Sequence, residues 1–279
     1  MADSSAPFRS LLFVPGARPD RFGKALDAGA DAVCIDLEDA VPPEGKQAAR
    51  KAVYEFANAP RGAKGAALGF RINGLSTLDG FKDVALLADV ADRVDFIMIP
   101  KASSGAELQN LKAALGEACP SVWAIVESAD GLAAADEIAR AVGETGGVLF
   151  GGADFSADIG APLEWEAMAY ARGALVVACS RAGAQLLDVP HLDVTDDEGL
   201  ATTTRRVKAL GFTGRACIHP TQVAGVNAVF TPNDAEIEHA QRVIAAFDDA
   251  SGGAALLNGK LIELPVIRSA RRVLARAGV

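Results

Sequence analysis

Acidic side chains gather at the ends of short apolar runs in this chain. Asp36, Glu38 and Asp39 follow VCI, Glu127 follows AIV, and Asp154 follows LFGGA. Cations stand at two equivalent places: Arg71 ends GFR and Lys101 ends IMIPK, while His219 ends ACIH. Several carboxylates brought into one cleft repel one another unless they are paired or bind a metal. A hard divalent cation on two of them, with water and substrate oxygens completing the octahedron, is the simplest resolution. Glu127 and Asp154 end consecutive runs and are natural co-ligands, and Arg71 offers the fork that grips a carboxylate bidentately. Plainer roles stand beside these. Glu127 and Asp154 suit helix caps or a structural pair, Arg71 suits an internal partner of Asp36 or Glu38, and Lys101 suits a solvated side chain.

Other chemistries lack their residues. No GxSxG signals a nucleophile elbow, and GARPDRFGK has too long a glycine spacing, and no Ser or Thr after Lys24, for a phosphate loop. The four cysteines, Cys34, Cys119, Cys179 and Cys217, form neither a CxxC pair nor a zinc spacing and read as free thiols, most of them in apolar runs. His191 and His239 are expected on the surface, and His219 at the rim.

Composition narrows the partners. The chain has 279 residues, 50% of them hydrophobic and 23% charged, and a formal charge of 27 − 36 = −9. That is globular composition, and the negative charge argues against nucleic acid or an anionic membrane as a general partner. No apolar run reaches the roughly 18–20 residues that span a bilayer. MADSSAPFRS has neither a basic nor an apolar leader region, so a cytoplasmic protein is expected, in keeping with free thiols.

The elements that must position the polar residues are regular. Apolar runs at 8–14, 32–37, 67–72, 95–100, 121–126, 147–152, 184–189 and 214–219 read as strands buried on both faces, as in a parallel sheet. Amphipathic helical stretches lie between most of them, at 19–28, 44–57, 79–90, 104–116, 130–142, 164–181 and 196–210, with a short one at 221–228. Eight such units predict a (β/α)8 barrel (a TIM barrel), a fold of about 250 residues. An open doubly wound sheet is the alternative, but no GxGxxG follows any strand. Polar residues at strand C-termini of a barrel form its active mouth. Residues 1–230 are therefore expected to form the catalytic barrel and 231–279 an extension on the barrel or a neighbouring subunit, with a helix at 233–249, a Gly/Ala loop at 250–259, an extended KLIELPV and a basic helix.

The motifs also resemble a family. LLFVPGARPDRFGKAL, DAVCIDLEDAVPPEGKQAAR, FRING, IMIPK, AIVES, FGGADFSADIG and CIHPTQV are similar to those of citrate lyase beta-subunit-like proteins, within the Mg²⁺-dependent aldolases and carbon–carbon lyases that include malyl-CoA and citramalyl-CoA lyases. The resemblance runs from about residue 8 to the tail. It implies a barrel, commonly trimeric, with Mg²⁺ on Glu127 and Asp154, Arg71 on the carboxylate of an α-keto acid, and Asp36, Glu38 and Asp39 near the metal and its waters. Arg18, Lys24, Lys46 and Arg50 become contacts for a phosphorylated acyl carrier such as CoA. Two departures are visible: Ser128 stands where many relatives carry Thr, and Glu263 in GKLIELP stands where the acyl-CoA lyases carry an Asp that serves a neighbouring subunit as acid/base. The implied reaction is reversible cleavage of a β-hydroxyacyl thioester into an acyl thioester and a keto acid. A malate-synthase-like thioester hydrolase, an aldolase acting on free keto acids and a non-catalytic acyl-carrier-binding subunit are the alternatives.

Overall fold

A computed structural model describes residues 7–60, 65–249 and 255–279. Eight parallel strands close into a barrel in sequence order: β1 Ser10–Pro15, β2 Ala32–Asp36, β3 Ala67–Arg71, β4 Phe96–Ile99, β5 Ser121–Val126, β6 Gly147–Phe150, β7 Gln185–Asp188 and β8 Gly214–Cys217, with β8 pairing back onto β1. Every expected run contains a strand, with bounds that agree within two residues at each end.

The strands alternate their two buried faces. Leu11, Cys34, Phe96, Trp123, Ile125, Leu149 and Leu187 fill the barrel interior, while Leu12, Val33, Leu68, Ile97, Ala124, Val148 and Leu186 pack on the helices outside. Large and small residues interdigitate inside. A Cβ on Gly69 would lie 2.4 Å from the Phe96 ring, and one on Gly147 would lie 2.5 Å from the Trp123 ring. The period of two then carries upward: the residue two beyond Cys34 is Asp36, beyond Gly69 is Arg71, and beyond Ile125 is Glu127. The same alternation that buries the apolar layer aims these three polar side chains into the top of the barrel.

The helices are α1 Phe22–Leu26, α2 Lys46–Asn58, α3 Leu78–Val90, α4 Gly105–Leu115, α5 Ala129–Ala133, α6 Ala135–Val142, α7 Gly152–Asp158, α8 Trp165–Ala182, α9 Asp197–Leu210 and α10 Pro220–Phe230. Thr77 caps α3, Ser104 closes a capping box on α4 with Glu107, and Asp196 caps α9. Three details differ from expectation. The stretch at 130–142 is two helices broken at Ala134, and α10 is a full eleven residues. The third is α7, which was not foreseen: it spans seven residues opened by a glycine pair, too short to show a helical period.

Beyond the barrel lie α11 Asp234–Asp249, an antiparallel pair β9 Ala255–Leu257 and β10 Lys260–Ile262, and α12 Leu264–Ala277. They share a small core of Ala240, Val243, Phe247, Ile262, Ile267 and Ala270. Two expectations here change: KLIELPV is extended only through Ile262, since Leu264, Pro265 and Val266 open α12, and the loop at 250–259 is in part strand. Residues 250–254 lie outside the described residues, but 255–257 are strand, joined to β10 through Asn258 and Gly259, both at positive φ (52° and 76°). Asn-Gly is the strongest short hairpin signal, and it stands in the sequence. This part meets the barrel through Lys208 Nζ on Glu236 Oε1 (3.2 Å) and the Arg276 guanidinium on the Thr213 carbonyl (3.5 Å). Among the described residues no helix is long and apolar enough to cross a membrane.

Candidate active site

The C-terminal ends of the strands surround a cavity of about 440 Å³ with Glu127, Asp154, Asp36, Asp39 and Arg71 in its polar lining and Ile125, Leu149, Val189, Leu192 and Ile218 in its apolar lining. Most of the strand-end residues expected to do chemistry therefore converge on one mouth.

Arg71 and Asp36 face each other because β2 and β3 pair in register at these two residues. The guanidinium bonds both Asp36 oxygens, at 2.7 Å through Nε and 2.5 Å through Nη2. Its Nη1 lies 3.0 Å from Glu38 Oε2 as an ion pair rather than a directed hydrogen bond, and its Cζ sits over the Phe13 ring at 5.2 Å. The fork expected for a substrate is thus already engaged by a protein carboxylate, the plainer of the two readings. A substrate carboxylate reaching Arg71 must share the guanidinium with Asp36 and Glu38. Burial pushes the Glu38 carboxyl up, more than Arg71 and Lys101 pull it down.

Glu127 is 4% exposed, and its Oε1 accepts the Lys101 amide at 2.7 Å. Burial pushes its pKa up to about 8 against the pull of that amide, and the Glu38 and Asp154 charges add to the rise. Asp154 stands exposed in the first turn of α7 beside it. Among the described residues no Lys, Arg or His forms an ion pair with Glu127, so the mouth holds more carboxylate than its cations neutralise. A dication would relieve that imbalance. No group of three or more His, Cys, Asp or Glu donors is assembled among the described residues. A two-carboxylate site suits Mg²⁺, which keeps several waters, better than a metal needing an all-protein cage.

The Glu127–Asp154 pair depends on a glycine. A Cβ on Gly151 would lie 2.4 Å from Glu127 Cβ and 2.7 Å from its Oε2. Gly151→Ala is expected to displace the Glu127 side chain and weaken Mg²⁺ binding by about 10- to 100-fold, with the fold kept. Calorimetric titration with Mg²⁺ beside circular dichroism checks this.

Without metal, the Glu127 proton has a stability consequence. Its folded pKa of about 8 lies above the ordinary carboxyl value of 4.5, so the folded chain binds more protons between them. Stability then falls as pH rises through that window. Urea denaturation in EDTA is expected to lose midpoint steadily from about pH 5 to about pH 8, and a flat profile would mean that Glu127 is ionised throughout.

Other expected residues lie elsewhere. Arg18 is exposed and paired with Asp20 at 2.8 Å, and Lys24 is exposed on α1. Two cations assigned to a carrier are used internally instead. Lys46 Nζ donates to the Leu37 and Glu38 carbonyls and to Asn73 Oδ1, while Arg50 bonds Asp83 at 2.6 Å and Asp79 at 2.8 Å. Asn73 completes that network through Asp83, which accepts its backbone and side-chain N–H groups. Glu263 sits exposed at the start of α12 and does not line its own chain's mouth. His191 pairs with Asp196 at 3.0 Å, and His219 caps α10. All three buried cysteines, Cys34, Cys179 and Cys217, carry thiols raised by burial and are inert. Two contacts of Glu127 carried no signal of their own in the sequence: the close approach of Gly151 and the Lys101 amide.

Comparison with known proteins bears on this mouth. The profile of the HpcH/HpaI aldolase/citrate lyase family matches residues 9–220. An L-malyl-CoA/beta-methylmalyl-CoA lyase of Cereibacter sphaeroides is 36% identical over 302 residues, covering 97% of this chain and 95% of that protein. A (3S)-malyl-CoA thioesterase of the same organism is 36% identical over 283 residues, covering 99% and 97%. The crystal structure of CitE from Mycobacterium tuberculosis in complex with magnesium, acetoacetate and coenzyme A superposes with a TM-score of 0.82 at 34% identity over 99% of each chain.

Proposed function

From the premise that the chain belongs to the HpcH/HpaI aldolase/citrate lyase family, we propose that it is a Mg²⁺-dependent carbon–carbon lyase which cleaves or forms a β-hydroxyacyl-CoA thioester, with an acyl thioester and an α-keto acid on the other side. The observation that carries the assignment to this mouth is Glu127: a buried carboxylate, without an ion-pairing side chain, beside Asp154 at the end of a barrel strand.

Glu127 and Asp154 are the residues that would hold Mg²⁺, with Asp36, Glu38 and Asp39 as the neighbouring carboxylates of the mouth. The bound ion supplies Lewis-acid stabilisation of negative charge on the substrate's oxygen. Arg71 binds the carboxylate adjoining the hydroxyl-bearing carbon and orients the bond to be broken, while Asp36 and Glu38 orient Arg71. As the hydroxyl passes its proton to the carboxylate that serves as acid/base, the electrons of its O–H bond form the keto group, and the carbon–carbon pair passes to the thioester as its enolate. A carboxylic acid must then protonate the enolate carbon. Glu263 is assigned that role from a neighbouring copy, since its own chain holds it away from the mouth. This makes residues 231–279 an extension serving a neighbour, residues 1–230 the catalytic barrel, and the assembly a homotrimer as the resemblance implies. Arg18 and Lys24 are assigned to the CoA end. Free buried thiols suit a cytoplasmic setting.

Relatives named as malyl-CoA and beta-methylmalyl-CoA lyases make those thioesters the first substrates to test. A second reading, thioester hydrolysis, rests on the relative named a (3S)-malyl-CoA thioesterase. One assay separates them: malyl-, methylmalyl-, citramalyl- and citryl-CoA with Mg²⁺, following keto acid and free thiol together. Keto acid release without free CoA, abolished by EDTA, is the expected outcome. Free CoA without keto acid would move the assignment to a hydrolase, turnover of CoA-free hydroxy acids to a plain aldolase, and silence with retained CoA binding to a carrier-binding subunit.

A further inference from the structure

Lys101 is built unlike any other residue at the mouth. It occupies the left-handed backbone region, with φ 53°; the other non-glycine at positive φ among the described residues is Asn258, in a hairpin turn where that conformation is ordinary. Lysine has no such excuse. A Cβ is disfavoured in this region, and residues held there against preference persist only where their surroundings over-determine them.

The surroundings of Lys101 bind it at both ends. Its amide donates to Glu127 Oε1 at 2.7 Å. Its Nζ donates to Glu38 Oε1 at 2.6 Å and lies 3.8 Å from Asp39 Oδ1. The next amide, Ala102, is fixed to the Ile125 carbonyl on β5 at 3.1 Å. One residue at the end of β4 therefore joins the acidic cluster after β2 to the carboxylate after β5. With Ala102 fixed on Ile125, rotation about φ and ψ of Lys101 toward the right-handed well would turn the Pro100–Lys101 peptide plane relative to β5, and with it the amide off Glu127. Glycine would hold the left-handed conformation without help, yet the position carries a long cation whose side chain is 58% exposed and whose ammonium is tied to a buried carboxylate.

We propose that Lys101 is a positioning residue for Glu127: its ammonium bond to Glu38 holds its backbone left-handed, and that backbone aims the amide which fixes the Glu127 carboxylate. The inference rests on the reading of Glu127 as a Mg²⁺ ligand. Residues that orient a metal ligand in this way affect affinity by about 10- to 100-fold.

Three substitutions separate the tether from the backbone. Lys101→Ala removes the ammonium and leaves a Cβ that resists the left-handed region. Lys101→Gly also removes the ammonium but accepts that region freely. Lys101→Arg keeps a cation within reach of Glu38. Mg²⁺ affinity is read by calorimetric titration of each full-length variant, with kcat and the apparent KM for Mg²⁺ measured alongside. The expected order is wild type and Lys101→Arg together, Lys101→Gly within a few-fold of them, and Lys101→Ala weaker by about tenfold or more. The loss in Lys101→Ala should appear mainly in KM for Mg²⁺. A side chain that only stabilises the fold would shift the urea midpoints of the variants, with glycine again above alanine at this positive φ, and leave the Mg²⁺ affinity of the folded protein unchanged. Lys101→Ala binding Mg²⁺ as wild type does, or Lys101→Gly binding no better than Lys101→Ala, would overturn the proposal alone. Absence of Mg²⁺ binding by the wild type, or its survival in Glu127→Gln, would overturn the ligand reading and the proposal with it.

Discussion

Glu127→Gln is expected to lower kcat/KM for thioester cleavage by about 10³-fold or more, the scale at which losing a preorganised charge acts on a developing oxyanion. The substitution is nearly isosteric, and the glutamine oxygen can still accept the Lys101 amide, so the geometry around it is preserved. What it removes is one of two charges assigned to Mg²⁺, leaving Asp154 alone in an exposed first turn. A companion measurement makes the result diagnostic. Burial disfavours the ionised Glu127 carboxylate, which is why its pKa stands at about 8. A neutral glutamine escapes that penalty, so the variant in EDTA at about pH 8 should be at least as stable as wild type while binding Mg²⁺ much more weakly. Equal loss of stability and activity would point to a structural carboxylate instead, and unchanged turnover would remove Glu127 from the chemistry.

Arg71→Ala carries the second large effect, and it acts twice. Asp36 and Glu38 are 2% and 5% exposed, and both lean on this guanidinium. Removing one partner of a buried ion pair destabilises by about 3–5 kcal/mol because it strands the other. Catalysis should fall by about 10²-fold or more besides, since the substrate's carboxylate loses its clamp. Arg71→Lys disentangles the two. A lysine keeps the charge but loses the fork, so most of the stability should return while kcat/KM stays low. Urea denaturation gives the first quantity. The second is checked by comparing a substrate with its carboxamide analogue: Arg71→Lys should penalise the carboxylate substrate and leave the residual turnover of the amide nearly unchanged. Equal penalties on both would confine Arg71 to holding Asp36 and Glu38.

Much of this was legible along the chain because it is local. Eight apolar runs with helical stretches between them predict the barrel, and a period of two from Cys34, Gly69 and Ile125 aims Asp36, Arg71 and Glu127 into its top. Those positions follow from the pleat alone and need no knowledge of neighbours. The Asn-Gly hairpin signal at 258–259 is equally local. The seven-residue α7 was not readable, because so short a segment shows no periodicity.

Tertiary structure decided which charges meet. That Arg71 spends its fork on Asp36 depends on the register of β2 against β3, set by pairing across 35 residues of chain. Lys46 and Arg50 are expected on a phosphorylated carrier from the resemblance, and only the approach of Leu37, Asn73, Asp79 and Asp83 shows them to be internal donors. Nothing in IMIPK announces that Lys101 turns left-handed, since lysine has no preference for that region and the bonds to Glu38 and Glu127 that accompany it come from other strands. Period and propensity are properties of neighbouring residues, so the sequence by itself determines the elements and the direction of each strand-end side chain. Partnership between charges is a property of distances through space, and those exist only once the barrel has closed.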